Sequence, residues 1–257
     1  MRLAEKYIAF RTILIREVLR FSRIWIQTIL PPMITTALYF IIFGNLIGSQ
    51  IGDMEGFRYM EFIVPGVIMM AVITNSYANV VSSFYGTKFQ RNIEEMLISP
   101  VPNYVILLGF VSGGVARGLS VGVAVTVVSL FFSSLHIHNP WVVISMIVLT
   151  SILFAMAGFI NGVFARSFDD ISIIPTFVLT PLTYLGGIFY SISMLPEFWQ
   201  TASRANPILY MINAFRYGFL GISDISLPVS YVISIGFIVI LYFFSLHLLN
   251  RGYGIRT

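Results

Sequence analysis

Apolar runs long enough to cross a bilayer recur along the chain, at roughly 24–47, 60–82, 104–133, 141–165, 172–190 and 229–249. A membrane helix needs about 20 consecutive apolar residues, and a soluble domain has no use for so many runs of that length. The pattern predicts an all-α polytopic membrane protein with six transmembrane helices. Ahead of the first run the period changes. At about 100° per residue, Tyr7, Phe10, Leu14, Val18 and Phe21 share one face of a helix over residues 2–23. Arg2, Arg16, Arg20 and Arg23 share the opposite face, with Arg11 as the exception. A basic amphipathic helix beside a span lies in the membrane interface. Residues 1–23 are therefore predicted as an interfacial helix, either a surface anchor or a surface for a partner.

The connections refine this picture. Pro31-Pro32, near the start of the first span, remove two backbone donors and predict a kink or a break. After the second span, Phe89, Ile93, Met96 and Leu97 follow the i, i+4, i+7, i+8 stripe of a helix. Lys88, Arg91, Glu94 and Glu95 are its polar complement, and Pro100 and Pro102 stop it. A tight turn, Arg166 to Asp170, joins the fourth and fifth runs. The stretch 207–222 is apolar but short, and Asn213 and Arg216 interrupt it. A full crossing there would separate Arg251 and Arg256 from the other basic residues. Residues 191–222 are therefore predicted as re-entrant helices that dip into the membrane and return, their irregular backbone buried against protein. The organisation is a single transmembrane domain over 1–257. It comprises the amphipathic helix 1–23, spans 1–5 within 24–190, the re-entrant helices 191–222 and span 6 at 229–249.

Composition matters chiefly for orientation. The chain is 57% hydrophobic and 10% charged, against about 25% charged in soluble proteins. With a cytoplasmic N-terminus, eleven of the 15 lysines and arginines face inward, Arg58, Arg204 and Arg216 face outward, and Arg117 lies within a span. The positive-inside rule then predicts that both termini are cytoplasmic. The net charge of +4 reflects that distribution, and no nucleic-acid partner is expected. The chain has no cysteine, which excludes disulfides and thiol chemistry.

Candidate chemistry is sparse. His136, His138 and His247 lack the spacing of a zinc site, and no metal is expected. A phosphate-cradling G-x-x-x-x-G-K-[ST] loop is missing, and Lys6 and Lys88 are the only lysines, so this chain has no device for ATP. No catalytic residue is predicted. Ion-driven carriers bury carboxylates at mid-membrane. None lies well inside a run here, Glu61 being at an edge, which counts against a secondary carrier. Arg117 is the one charge predicted within the hydrocarbon, roughly ten angstroms or less from the inner interface at 1.5 Å per residue. Asn75, Asn79 and Asn161 offer it bonds from neighbouring helices. A structural inter-helix bond and a gating or substrate role both stay open for it.

The last third resembles the signature of type-2 ABC exporter permeases. The residues are Leu179, Leu182, Leu185-Gly186, Ile188, Leu195-Pro196, Pro207-Ile208, Tyr210 and Arg216. The segments PPMITTALYFIIFGNLIG and FDDISIIPTFVLTPLTYLGGIFY extend the likeness over all six spans. The resemblance implies a permease of a bacterial inner (cytoplasmic) membrane that takes its energy from a separate ABC ATP-binding subunit. ATP and magnesium would sit on that subunit, with no cofactor on this chain. It implies a coupling surface made of Phe89, Arg91, Ile93, Glu94, Glu95 and Leu97, with Asp169 and Asp170 as a second, smaller contact. It also implies two ATP-binding subunits, a second permease copy as a homodimer, and contact with membrane lipid. Pro196, Pro207, Tyr210 and Arg216 would belong to an outer gate. The expected activity is outward movement of an apolar, amphipathic or lipid-linked glycan cargo. The alternatives are a secondary carrier or channel, which would need no ATPase, and a non-transporting membrane scaffold.

Overall fold

The computed structural model describes residues 2–254, apart from the side chains of Asn45 and Leu97. Arg256, counted above on the inner side, lies outside the described residues. The chain opens with α1 (Leu3–Arg23), whose first turn is capped as Glu5 Oε2 accepts from the Arg2 amide at 2.9 Å. A single turn at Ile24 leads into α2 (Trp25–Tyr39), a π-helical stretch Phe40–Ile47 and α3 (Gly48–Ile51), which together form one apolar rod, Trp25–Ile51. The prolines do not break it: the helix continues through Pro31 and Pro32. Each proline lacks the N–H that would bond the carbonyl four residues back, so Gln27 and Thr28 lose their helical donors.

The loop expected at 48–58 is partly helix and partly a two-residue hairpin, β1 (Asp53–Met54) against β2 (Phe57–Arg58). Its central residues, Glu55 and Gly56, both take positive φ, as the tightest hairpin turns require. The longest element follows, α4 (Tyr59–Phe89), about 46 Å at 1.5 Å per residue. Nearly all of its length is buried against its neighbours. Then come the short α5 (Asn92–Ile98) and two further long apolar helices, α6 (Asn103–Ser129) and α7 (Pro140–Phe164). Asn139 caps α7, its Oδ1 accepting from Trp141 and Val142, with Pro140 at the first helical position.

The fifth predicted span is not a straight helix. It is α8 (Asp170–Ile174), a π-helical stretch Pro175–Leu179 and α9 (Thr180–Tyr184). Pro175 and Pro181 each remove a donor, and Thr180 Oγ1 turns back to the Pro175 carbonyl at 2.9 Å. Laid end to end these pieces reach about 22 Å at helical rise, short of the roughly 30 Å hydrocarbon core. Among the described residues, five helices are long and apolar enough to cross a membrane, and this segment, the fifth predicted span, is not among them.

Residues 191–222 hold a short 3-10 turn (Ile192–Met194), then α10 (Glu197–Arg204) and α11 (Pro207–Leu220). α12 (Leu227–Arg251) closes the bundle. The ends of α4, α7 and α12 and the start of α6 gather on one face, the terminal face, and α1 packs along the first half of α6. The links are direct: Lys88 Nζ donates to the Val163 and Ala165 carbonyls at 2.8 and 2.7 Å, and Asn103 Nδ2 to Asn250 Oδ1 at 2.7 Å. The core has two parts. One, around Ile68, Met211 and Phe215, joins α4, α7 and α11; the other, around Phe84, Phe110 and Phe159, joins α4, α6 and α7 toward the terminal face.

The amphipathic helix α1 is no loose surface anchor. Ile13 and Glu17, one turn apart, pack against Gly109 and Gly113, one turn apart on α6. A Cβ on either glycine would collide with the α1 side chain opposite, so the glycines form the groove that lets two helices approach closely.

Candidate functional site

Three places concentrate the chain's polar chemistry, and the terminal face is the first. The predicted stripe from Phe89 to Leu97 is split. Arg91 adopts positive φ and turns the chain, so Phe89 closes α4 while the helix proper begins at Asn92. Ile93 is buried in the core with Phe84 and Phe110, so it faces inward rather than toward a partner. Its position corrects the sequence reading, because a stripe on a connecting helix can be covered by the chain's own bundle. Glu94, Glu95 and Arg91 are exposed, and the Leu97 side chain lies outside the described residues.

Phe89 stays 64% exposed and meets the 54% exposed Phe168 edge-on at 5.1 Å, with Tyr85 behind both. Two connections distant in sequence thereby form one aromatic patch. The second of them, Arg166–Asp170, is stiff. Asp170 Oδ2 accepts from the Arg166 and Ser167 amides at 2.8 and 3.1 Å, and Ser167 Oγ accepts from the Asp170 amide at 3.1 Å. This is a reciprocal cap. The bond from the Arg166 amide, followed by that from Ser167, holds the Asp170 carboxyl below its usual range. Asp169 beside it is exposed. Tyr85 Oη donates to the Arg166 carbonyl at 3.0 Å and ties the turn to α4.

The second place lies where α1 meets α4. Glu17 is fully buried, a carboxylate that the sequence reading overlooked. It accepts from Ser83 Oγ at 2.6 Å and pairs with Arg16 at 3.4 Å and Arg20 at 3.3 Å. Arg20 also donates to the carbonyl and side-chain oxygens of Asn79 at 2.9 and 2.8 Å. The signal was present in the sequence: Ile13, Glu17 and Phe21 fall at i, i+4 and i+8, which puts the carboxylate in the middle of a buried stripe.

The third place is a cleft of about 380 Å³ between α2 and α4, lined on its polar side by Gln27, Thr28, Thr35, Thr74, Asn75 and Arg117. Arg117 stands 14 residues into α6 and 12 from its end, so about 21 and 18 Å from the two ends at helical rise. It therefore stands near the middle of α6. The three asparagines divide. Asn75 Oδ1 accepts from Arg117 at 3.2 Å, Asn79 serves Arg20, and Asn161 Nδ2 reaches the Ile171 carbonyl at 3.3 Å, tying α7 to α8.

On the opposite face, α10 and α11 form a cap. Arg216 is 1% exposed. Its guanidinium donates to the Gly187 and Ile188 carbonyls and sits 3.8 Å over the Phe62 ring. Pro196 precedes α10, Pro207 starts α11, and Tyr210 Oη donates to the Arg204 carbonyl at 2.7 Å, closing the turn between the two helices. Asn206 both caps α11 and donates to the Leu182 carbonyl at 2.6 Å, so the cap is fastened to α9.

Comparison with known proteins gives the chain's family. Residues 8–220 match the family described as ABC-2 type transporter. The chain is 60% identical over 252 residues to the inner membrane transport permease YadH of Escherichia coli strain K12, covering 98% of each chain. The Shigella flexneri protein of the same name shows the same identity and coverage. Nodulation protein J of Rhizobium leguminosarum bv. trifolii is 25% identical over 239 residues, 92% of this chain and 90% of that one.

Proposed function

The chain belongs to the ABC-2 type transporter family, and from that premise we propose that it is the membrane pathway of an exporter driven by a separate ATP-binding subunit. It is a permease subunit of the inner membrane, like its relatives of that name. The proposal adds direction, cargo and assembly. Two such chains pair as a homodimer, two ATP-binding subunits carrying ATP and magnesium dock on the terminal face, and that face is cytoplasmic. The cargo is an apolar, amphipathic or lipid-linked glycan molecule that leaves past the α10–α11 cap.

The observation that carries this reading is the exposed Phe89–Phe168 pair. Two large apolar rings on a polar, basic face, held by a capped turn and by the end of a 31-residue helix, suit a partner's apolar cleft. Phe89 is the last residue of α4, and α4 also walls the cleft that holds Asn75. A displacement at Phe89 thus reaches the cleft along one rigid element, which is how packed helices shift between two arrangements. Glu94, Glu95 and Asp169 supply charges around the rings.

The test is co-purification with an ABC ATP-binding subunit co-expressed with this chain. Phe89→Glu and Phe168→Glu are expected to lower recovery of that subunit at least tenfold while leaving the permease's own elution profile unchanged. Full recovery by both variants overturns the docking surface. Uphill transport by the isolated chain in vesicles would overturn the whole reading in favour of a carrier.

A further inference from the structure

We propose that the α2–α4 cleft is a binding site for an anionic amphiphile, with Arg117 holding the acidic headgroup. This rests on the transport reading above and names the chemistry of the cargo. A guanidinium within a membrane-spanning helix costs a few kcal/mol unless its donors are engaged. Among the described residues Arg117 engages one of them, its Nη2 donating to Asn75 Oδ1 at 3.2 Å. No carboxylate pairs with it there. Glu17, the buried acid on the same side of α4, is already held by Arg16 and Arg20.

The rest of the lining says what accompanies the anion. Thr35 and Thr74 offer hydroxyls beside Arg117, while Val67 and Met70 give apolar wall. The volume falls within the roughly 300–1,000 Å³ of small-molecule sites. Ile34 and Leu38, exposed on α2, extend the apolar surface away from the cleft. A forked donor suits phosphate, sulfate or carboxylate oxygens, and the apolar wall suits a chain attached to them. A bare anion would use the first feature and waste the second.

The experiment titrates the full-length chain, purified in a non-ionic detergent, with dioctanoyl phosphatidic acid, dioctanoyl phosphatidylcholine and inorganic phosphate, and reads binding by thermal shift. Phosphatidic acid is expected to bind at least tenfold more tightly than phosphatidylcholine, and inorganic phosphate to compete weakly. Arg117→Gln should lose at least tenfold in affinity, and Arg117→Lys should keep most of it. Thr74→Trp fills the cleft from its exposed wall with the arginine intact, and should also lose binding. Equal affinity for the two lipids, or wild-type binding by Arg117→Gln or Thr74→Trp, overturns the proposal. Competition by phosphate as strong as by phosphatidic acid reduces the ligand to a bare anion and overturns the amphiphile. Because no ATP-binding subunit is present, failure here leaves the docking reading standing, and failure of docking leaves this one standing.

Discussion

Arg216 and Arg117 are both arginines set deep in an apolar bundle, yet their surroundings differ. The α11 cap closes around Arg216 with two carbonyls and a phenyl ring, leaving it 1% exposed. The α2–α4 cleft leaves Arg117 with one amide oxygen and a polar void. The first cation has the environment of a fastener: its Nη2 bonds two backbone carbonyls and its plane lies over a ring, although its Nε, like that of Arg117, has no partner among the described residues. The second is held in reserve. Residue type and depth are similar in the two cases, so the count of partners separates a cation that holds the fold from one available to a ligand.

That contrast is sharpest at Arg216→Ala. The substitution orphans two buried carbonyls and empties a large fully buried volume, together about 4 kcal/mol. The α10–α11 cap should loosen from Gly187 and Ile188, and thermal unfolding in detergent should show a large fall in Tm with reduced yield. A variant as stable as the wild type would show that the carbonyls are not what Arg216 is for, and would return it to a gating role at the outer face.

Glu17→Ala comes next. It strips the shared anion from Arg16 and Arg20, which are 46% and 33% exposed at the side chain and so turn partly to water. The expected loss is about 2 kcal/mol, at the low end for a buried pair. Proteolysis within α1 should accelerate, because Ile13 and Phe21 then hold the helix in its glycine groove without the polar anchor. An unchanged proteolysis rate would mean that packing on Gly109 and Gly113 suffices.

The sequence made the bundle legible and left the partner of each surface illegible. Four of the long helices fall within a few residues of their predicted bounds. Periodicity failed at Ile93 because a stripe says that one face is covered without saying by what; the left-handed Arg91 turned it onto the chain's own core. At 172–190 the helix runs on through Pro175 and Pro181 but ends at Tyr184, short of the predicted bound. Glu17 escaped notice because Arg16 and Arg20 beside it made that stretch read as a solvated face. Phe168 was missed for a different reason. Its value lies in touching Phe89 across 79 residues of sequence, and no local pattern encodes that contact.

The smallest expected change in stability has the opposite sign. Arg117→Gln keeps a donor for Asn75 and removes a charge from a membrane-spanning helix. The cost of burying that charge disappears with it, so stability should stay level or rise by up to about 1 kcal/mol. Thermal unfolding of the same preparation used for Arg216→Ala measures both. A gain in Tm beside a loss of ligand affinity is the signature of a residue maintained against the interest of the fold. A loss as large as that at Arg216 would mean that the single Asn75 bond already does structural work, and the distinction between the two arginines would vanish.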